Sequence, residues 1–130
     1  MATNLRYHHR IEARGNAEVE TSEGLLFNGH LIDISKTGVS IACDRQVLEG
    51  LLPPSVTPHP SPRNRVPVVL HFVLAQKTQP SKPAPMATEC NIIYARRTSR
   101  DIFQLGLEFH NLNAHQAHML DHYLSTTSAG

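Results

Sequence analysis

The 130-residue chain reads as one all-β domain, a six-stranded antiparallel β-barrel with a C-terminal α-helix. Three observations predict this. Apolar and polar residues alternate in six separate stretches, the period-two mark of half-buried strands. A helical period enters only after residue 112. Prolines gather in two runs between strands, where their missing N–H does no harm to a ladder. Closing such strands into a barrel removes exposed sheet edges.

The chain is expected to divide into a flexible N-terminal arm over 1–12, a barrel over 13–110 and a helix over 113–125. The first strand is expected from about Ala13 to Thr21, with Ala13, Gly15, Ala17 and Val19 on one face. The second runs from about Leu25 to Ile34. In the third, Val39, Ile41 and Cys43 alternate with Ser40, Ala42 and Asp44. The fourth covers Val66 to Gln76 and the fifth about Met86 to Arg96. In the sixth, Phe103, Leu105, Leu107 and Phe109 face one way; Gln104, Gly106, Glu108 and His110 face the other. Asn113 is the expected N-cap of the helix. Ala117, Leu120 and Leu124 form its apolar face, with Tyr123 near the edge and His115, His118 and His122 opposite. Pro53 to Arg65 and Gln79 to Pro85 read as extended surface connections.

Composition limits the function classes. Net charge is +1 and aromatics make up 5%, too little of either for a nucleic-acid surface with stacking platforms. The cations are nevertheless clustered, at Arg6, Arg10 and Arg14 and again at Arg96, Arg97 and Arg100. Two compact basic knots in a nearly neutral chain suit a small anionic ligand. Cys43 and Cys90 have no metal-ligand or redox spacing and read as reduced core thiols. The N-terminus lacks the apolar segment of a signal peptide, and no apolar run is long enough for a membrane span. The expectation is a cytoplasmic protein without membrane insertion. No Ser/His/Asp order, phosphate-cradling glycine loop or metal constellation suggests an enzyme, so no catalytic residue, metal or cofactor is assigned.

Two short patterns carry the chemistry. Arg6-Tyr7-His8-His9-Arg10 sets two arginines in an RxxxR spacing just before the first strand. Asp33-Ile34-Ser35-Lys36-Thr37-Gly38 is a DxSxxG turn between the second and third strands. With these two in order, and with the Leu105-Gly106-Leu107-Glu108-Phe109 strand, the sequence resembles the PilZ domains from Leu5 to about Leu124. The resemblance implies a six-stranded barrel with a C-terminal helix, cyclic-di-GMP as ligand, and arginines on a mobile segment that closes over it.

The residue types fit that ligand, which carries two phosphates and two guanines. Guanidinium bonds bidentately to phosphate or to guanine O6/N7 and stacks on purine faces, as Arg6 and Arg10 would. Asp33 offers a carboxylate to the guanine N1–H and N2–H₂ edge, or else bonds its own turn backbone. Ser35 supplies a hydroxyl for base or phosphate. Gly38 lacks a Cβ, so the turn can take a positive φ and the ligand can approach the backbone; a purely structural role suits it equally. His8 and His9, inside the arginine segment, are secondary candidates whose protonation would make affinity pH-dependent. The resemblance also singles out Leu5, where many relatives carry another Arg; leucine there implies one ligand per protomer. It likewise marks Tyr94 as an aromatic for stacking on guanine, or for packing at the rim, with Arg96 assisting electrostatically. The implied role is a receptor acting through a downstream protein partner in motility, biofilm or exopolysaccharide control. The alternative is an interaction protein of the same fold that binds no nucleotide and assists type IV pilus assembly.

Overall fold

The alternation seen in the sequence becomes an inside and an outside once the strands pair. A computed structural model describes residues 10–52, 61, 65–74 and 84–128. Its strands are β1 (Ile11–Glu12), β2 (Asn16–Thr21), β3 (Leu26–Ile34), β4 (Gly38–Asp44), β5 (Val66–Leu74), β6 (Ala84–Arg97) and β7 (Ile102–Phe109). The helices are α1 (Arg45–Leu51) and α2 (Ala114–Ser128). Six strands close a ring in the order β3-β2-β5-β6-β7-β4, with β4 returning to β3, and every pairing is antiparallel. The expected barrel and C-terminal helix are therefore present.

The seventh strand departs from expectation. Ile11 and Glu12, read as part of the flexible arm, pair with Ile34 and Asp33 on β3. The strand expected from Ala13 instead starts at Asn16, because Gly15 turns the chain at φ 131°. Ala13 N–H still donates to Ile32 O, and Gly15 O accepts from Leu31 N–H, so the interruption stays pinned to β3. Thus β1 and β2 are successive pieces on one edge of β3.

Inside the ring, Val19 stands opposite Leu70 and Leu70 opposite Thr88; one row along, Ala17, Phe72 and Met86 align. Ile34, Val39, Ile41, Leu70, Ile92 and Leu105 are wholly buried. Each contributes about 1.5–3 kcal/mol by leaving water. Cys43 and Cys90 are free and buried in the same core. Burial, with Asp44 adding its charge, pushes the Cys43 thiol from 9.0 up to about 11. Burial does the same to Cys90, also to about 11, against a smaller opposing effect of its Thr88 hydrogen bond.

Helix α1 was not expected. Asp44 closes β4 and caps α1 at once, its Oδ1 accepting from Val47 N–H at 2.8 Å. Leu51 then enters the core, and Gly50 lies so close to the Phe27 ring that a Cβ would collide with it. At α2 the expected cap is present as a reciprocal box: Asn113 Oδ1 accepts from Gln116 N–H at 2.7 Å, and Gln116 Oε1 accepts from Asn113 N–H at 3.2 Å. Gln116 also donates to Ala87 O at 2.7 Å, tying the start of α2 to β6. The buried face is Leu120, Tyr123 and Leu124. Ala117, expected there, is exposed; it edges a groove with Lys36, Leu112 and His118, and the larger Tyr123 fills the core in its place. His115, His118 and His122 are exposed, as expected. The proline-rich stretches lie mostly outside the described residues.

Candidate ligand-binding site

Strand register assembles a row of side chains on the outer wall. Asp33 on β3 stands opposite Ser40 on β4, Ser40 opposite Gly106 on β7, and Gly106 opposite Tyr94 on β6. The adjacent row brings Ala42, Gln104 and Arg96 into line. Register shifts between Leu31 and Asp33 and between Ile92 and Tyr94 flank this patch on both sides. Such bulges re-aim side chains. Here they turn Asp33 and Tyr94 outward together while Ile34 and Ile92 remain in the core.

Arg10 lies across one end of the row. Its Nε donates to Asp33 Oδ1 at 2.7 Å, Nη1 to Ser35 Oγ at 3.4 Å and Nη2 to Ser40 Oγ at 3.2 Å. The anchoring strand β1 begins at the next residue. One guanidinium thus joins two sequence patterns 23 residues apart. Ser35 is wholly buried beneath it. Its hydroxyl accepts from Thr37 N–H at 3.2 Å and from Gly38 N–H at 3.3 Å, so it first shapes the turn. Gly38 does not use a positive φ, contrary to one expectation. Its need is space: a Cβ would run into Leu107 O on the paired strand β7.

The other end of the row is a chain of hydrogen bonds. Ser40 Oγ lies 3.3 Å from Tyr94 Oη, which accepts from Gln104 Nε2 at 3.2 Å. Gln104 Oε1 accepts from Arg96 Nε at 3.2 Å and Nη2 at 2.8 Å. The Tyr94 ring lies against Gly106, where any Cβ would overlap it. Gln104 and Gly106, on the face away from Leu105 and Leu107, are buried as well because this layer covers them. The two basic clusters of the sequence are therefore linked, from Arg10 through Ser40, Tyr94 and Gln104 to Arg96. Beside the chain, Arg10, Gly38, Tyr94, Gly106 and Glu108 border a depression of about 70 Å³. Larger concavities exist, one of about 430 Å³ lined by Glu18, Asn28, His71 and Met86. That groove is lined by no arginine or lysine, whereas the smaller depression is bordered by Arg10. Among the described residues no three metal-ligating side chains converge and no helix is long and apolar enough to cross a membrane.

The sequence profile of the PilZ domain matches residues 4–126. The chain belongs to the PilZ family. No curated protein matches it by sequence. Among solved structures it resembles the Bacillus subtilis inhibitor of motility MotI/DgrA, with TM-score 0.65 and 14% identity over 91% of this chain and 49% of that one. The PilZ domain of Escherichia coli YcgR, solved with c-di-GMP, aligns with TM-score 0.61 and 11% identity over 94% of this chain and 90% of that one. K. pneumonia MrkH in its apo state gives TM-score 0.61 and 12% identity over 95% and 50%. The chain spans about half the length of MotI/DgrA and MrkH. At these identities the likeness is one of fold.

Within this PilZ barrel the structure brings Arg10, Asp33 and Ser35 together and sets Gly38 beside them. Tyr94 and Arg96 reach the same patch through Gln104. Leu5, Arg6, His8 and His9 lie outside the described residues. Sequence reasoning missed Ser40 and Gln104. A signal existed for both, since each falls on the outward phase of its strand: Ser40 is two residues beyond Gly38, and Gln104 alternates with Phe103 and Leu105.

Proposed function

We propose that this chain is a cyclic-di-GMP receptor that changes conformation on binding and regulates motility, biofilm or exopolysaccharide output through a partner protein in trans, in the cytoplasm and without catalysis. The observation that carries the reading is Arg10 bonded at once to Asp33, Ser35 and Ser40. Asp33 holds Nε, the shortest of the three bonds, which leaves the Nη1–Nη2 edge with its long contacts to exchange for phosphate or guanine acceptors. Arg6 supplies the second guanidinium from the N-terminal segment, with His8 and His9 beside it. Tyr94 offers a ring for a guanine, worth about 1–3 kcal/mol of stacking. Leu5 cannot clamp a second dinucleotide electrostatically, so one ligand binds per protomer.

Calorimetric titration of cyclic-di-GMP into the wild type and into Arg10→Ala tests this. The wild type binds at micromolar or tighter concentration with one ligand per protomer. Because a charge-assisted hydrogen bond is worth about 1.5–3 kcal/mol, Arg10→Ala weakens binding by about tenfold or more. Equal affinities would remove the role given to Arg10. A wild type that gives no heat would favour the non-nucleotide interaction protein instead.

A further inference from the structure

We infer, on the receptor reading above, that Arg96 and Gln104 are positioning residues: they hold the Tyr94 ring in place as a platform for a guanine, and Arg96 acts on affinity through that ring and not through its charge. Pairing of β6 with β7 sets Arg96 opposite Gln104 and Tyr94 opposite Gly106, so all four share one face. The Gln104 side chain ends in an amide whose two ends are alike in size but opposite in hydrogen-bonding sense. A guanidinium only donates. Arg96 therefore takes the oxygen end, with Nε at 3.2 Å and Nη2 at 2.8 Å from the same Oε1. That leaves the nitrogen end facing Tyr94, where Nε2 donates to Oη at 3.2 Å. Gln104 is buried, so the amide is enclosed in this setting.

The ring is then restrained along its whole length. Its root is a β6 backbone position paired to β7. Its Cδ2, Cε2 and Cζ carbons lie over Gly106, where any Cβ would overlap them. Its tip is bonded by Gln104 and lies 3.3 Å from Ser40 Oγ, whichever of those two oxygens donates. A ring already fixed before the ligand arrives does not have to be ordered on binding, a cost of about 0.5–1.5 kcal/mol for a loose side chain, or roughly two- to tenfold in affinity. Arg96 contributes to this at a distance. Both of its bonded N–H groups point along the wall to Gln104, and its exposed charge is screened by salt.

Two measurements test this, with thermal unfolding to check that each variant folds. The first is the NMR shift of the Gly106 Hα protons in the ligand-free protein, which the ring current of Tyr94 displaces. Arg96→Ala and Gln104→Leu should both move that signal toward an ordinary glycine value, although neither touches Gly106 or the ring carbons. The second is cyclic-di-GMP affinity, at low and at high salt, in the wild type, Arg96→Ala, Tyr94→Phe and the double variant. Each single variant should weaken binding roughly two- to tenfold, and the double variant should be no weaker than the weaker single one, because without the Tyr94 hydroxyl Arg96 has nothing to act through. The ratio of wild-type to Arg96→Ala affinity should be the same at both salt concentrations. An unmoved Gly106 signal in Arg96→Ala, losses that multiply in the double variant, or a ratio that shrinks as salt rises would each overturn the inference while leaving the receptor reading intact. A wild type that binds no cyclic-di-GMP would overturn both, whatever the Gly106 signal shows.

Discussion

Gly106 has no side chain, and Tyr94 occupies the space one would fill. Gly106→Ala forces the ring off β7 and strains its bonds to Ser40 and Gln104. Overpacking of this kind destabilises by about 1–3 kcal/mol. The variant should unfold at lower urea than the wild type and bind cyclic-di-GMP more weakly; unchanged values for both would show that Tyr94 has room to move. At this scale the sequence made most of the described patch legible, since Gly38, Tyr94 and Arg96 were named along with Arg10, Asp33 and Ser35. Arg10, Asp33 and Ser35 stand out because their residue types are unusual at such spacing. Ser40 and Gln104 do not, since polar residues on an outward phase look like any solvated face. Their role arises only when register sets Ser40 beside Tyr94 and Gln104 beside Arg96, which is a property of pairing and not of either strand. Gly38 was legible as a necessary glycine, though not through its dihedral: crowding by Leu107 O excludes a side chain.

Elements were legible wherever several alternations followed one another. β7 and the core of β5 and β6 fall where their apolar periods place them. Helix α1 was not legible because seven residues span too few turns to establish a period, and its first residue follows directly on a strand. Its one strong signal is Asp44, whose carboxylate accepts from Val47 N–H at 2.8 Å. Replacing such a cap with alanine costs about 1 kcal/mol. Asp44→Ala should lower the urea midpoint accordingly while leaving cyclic-di-GMP affinity at the wild-type value, because α1 takes no part in the row from Asp33 to Tyr94. A parallel loss of affinity would mean that α1 supports the site through β4. Helix α2 shows a different difficulty. Its cap and its histidine face were readable, but the core side is centred nearer Tyr123 than Ala117. The helical wheel leaves open which edge residue turns inward, and packing volume decides it.

At the scale of the whole molecule, the barrel makes burial uniform enough that two thiols on different strands share one fate. Cys43 and Cys90 both sit near 11 when folded, against 9.0 ordinarily. The folded state thus favours their protonated forms. Their contribution to stability is complete below pH 9.0 and disappears as pH rises through about 11. Unfolding midpoints should therefore fall more steeply over that alkaline range in the wild type than in a Cys43→Ala/Cys90→Ala double variant. Equal slopes would show that the thiols titrate alike in both states. Ring closure itself was legible because a closed barrel is the usual way for six alternating stretches to remove their edges. The short β1 was not, since two residues cannot display a period.

That short strand has a consequence for size selection. Ile11 and Glu12 are stitched to Ile34 and Asp33, so the chain upstream of Arg10 is tethered at a fixed point. A peptide extends at most about 3.3–3.6 Å per residue, so the Arg6 Cα stays within roughly 14 Å of the Arg10 Cα. The RxxxR spacing therefore works as a ruler: if both guanidiniums hold one ligand, the groups they hold must lie within that span plus the reach of the two side chains.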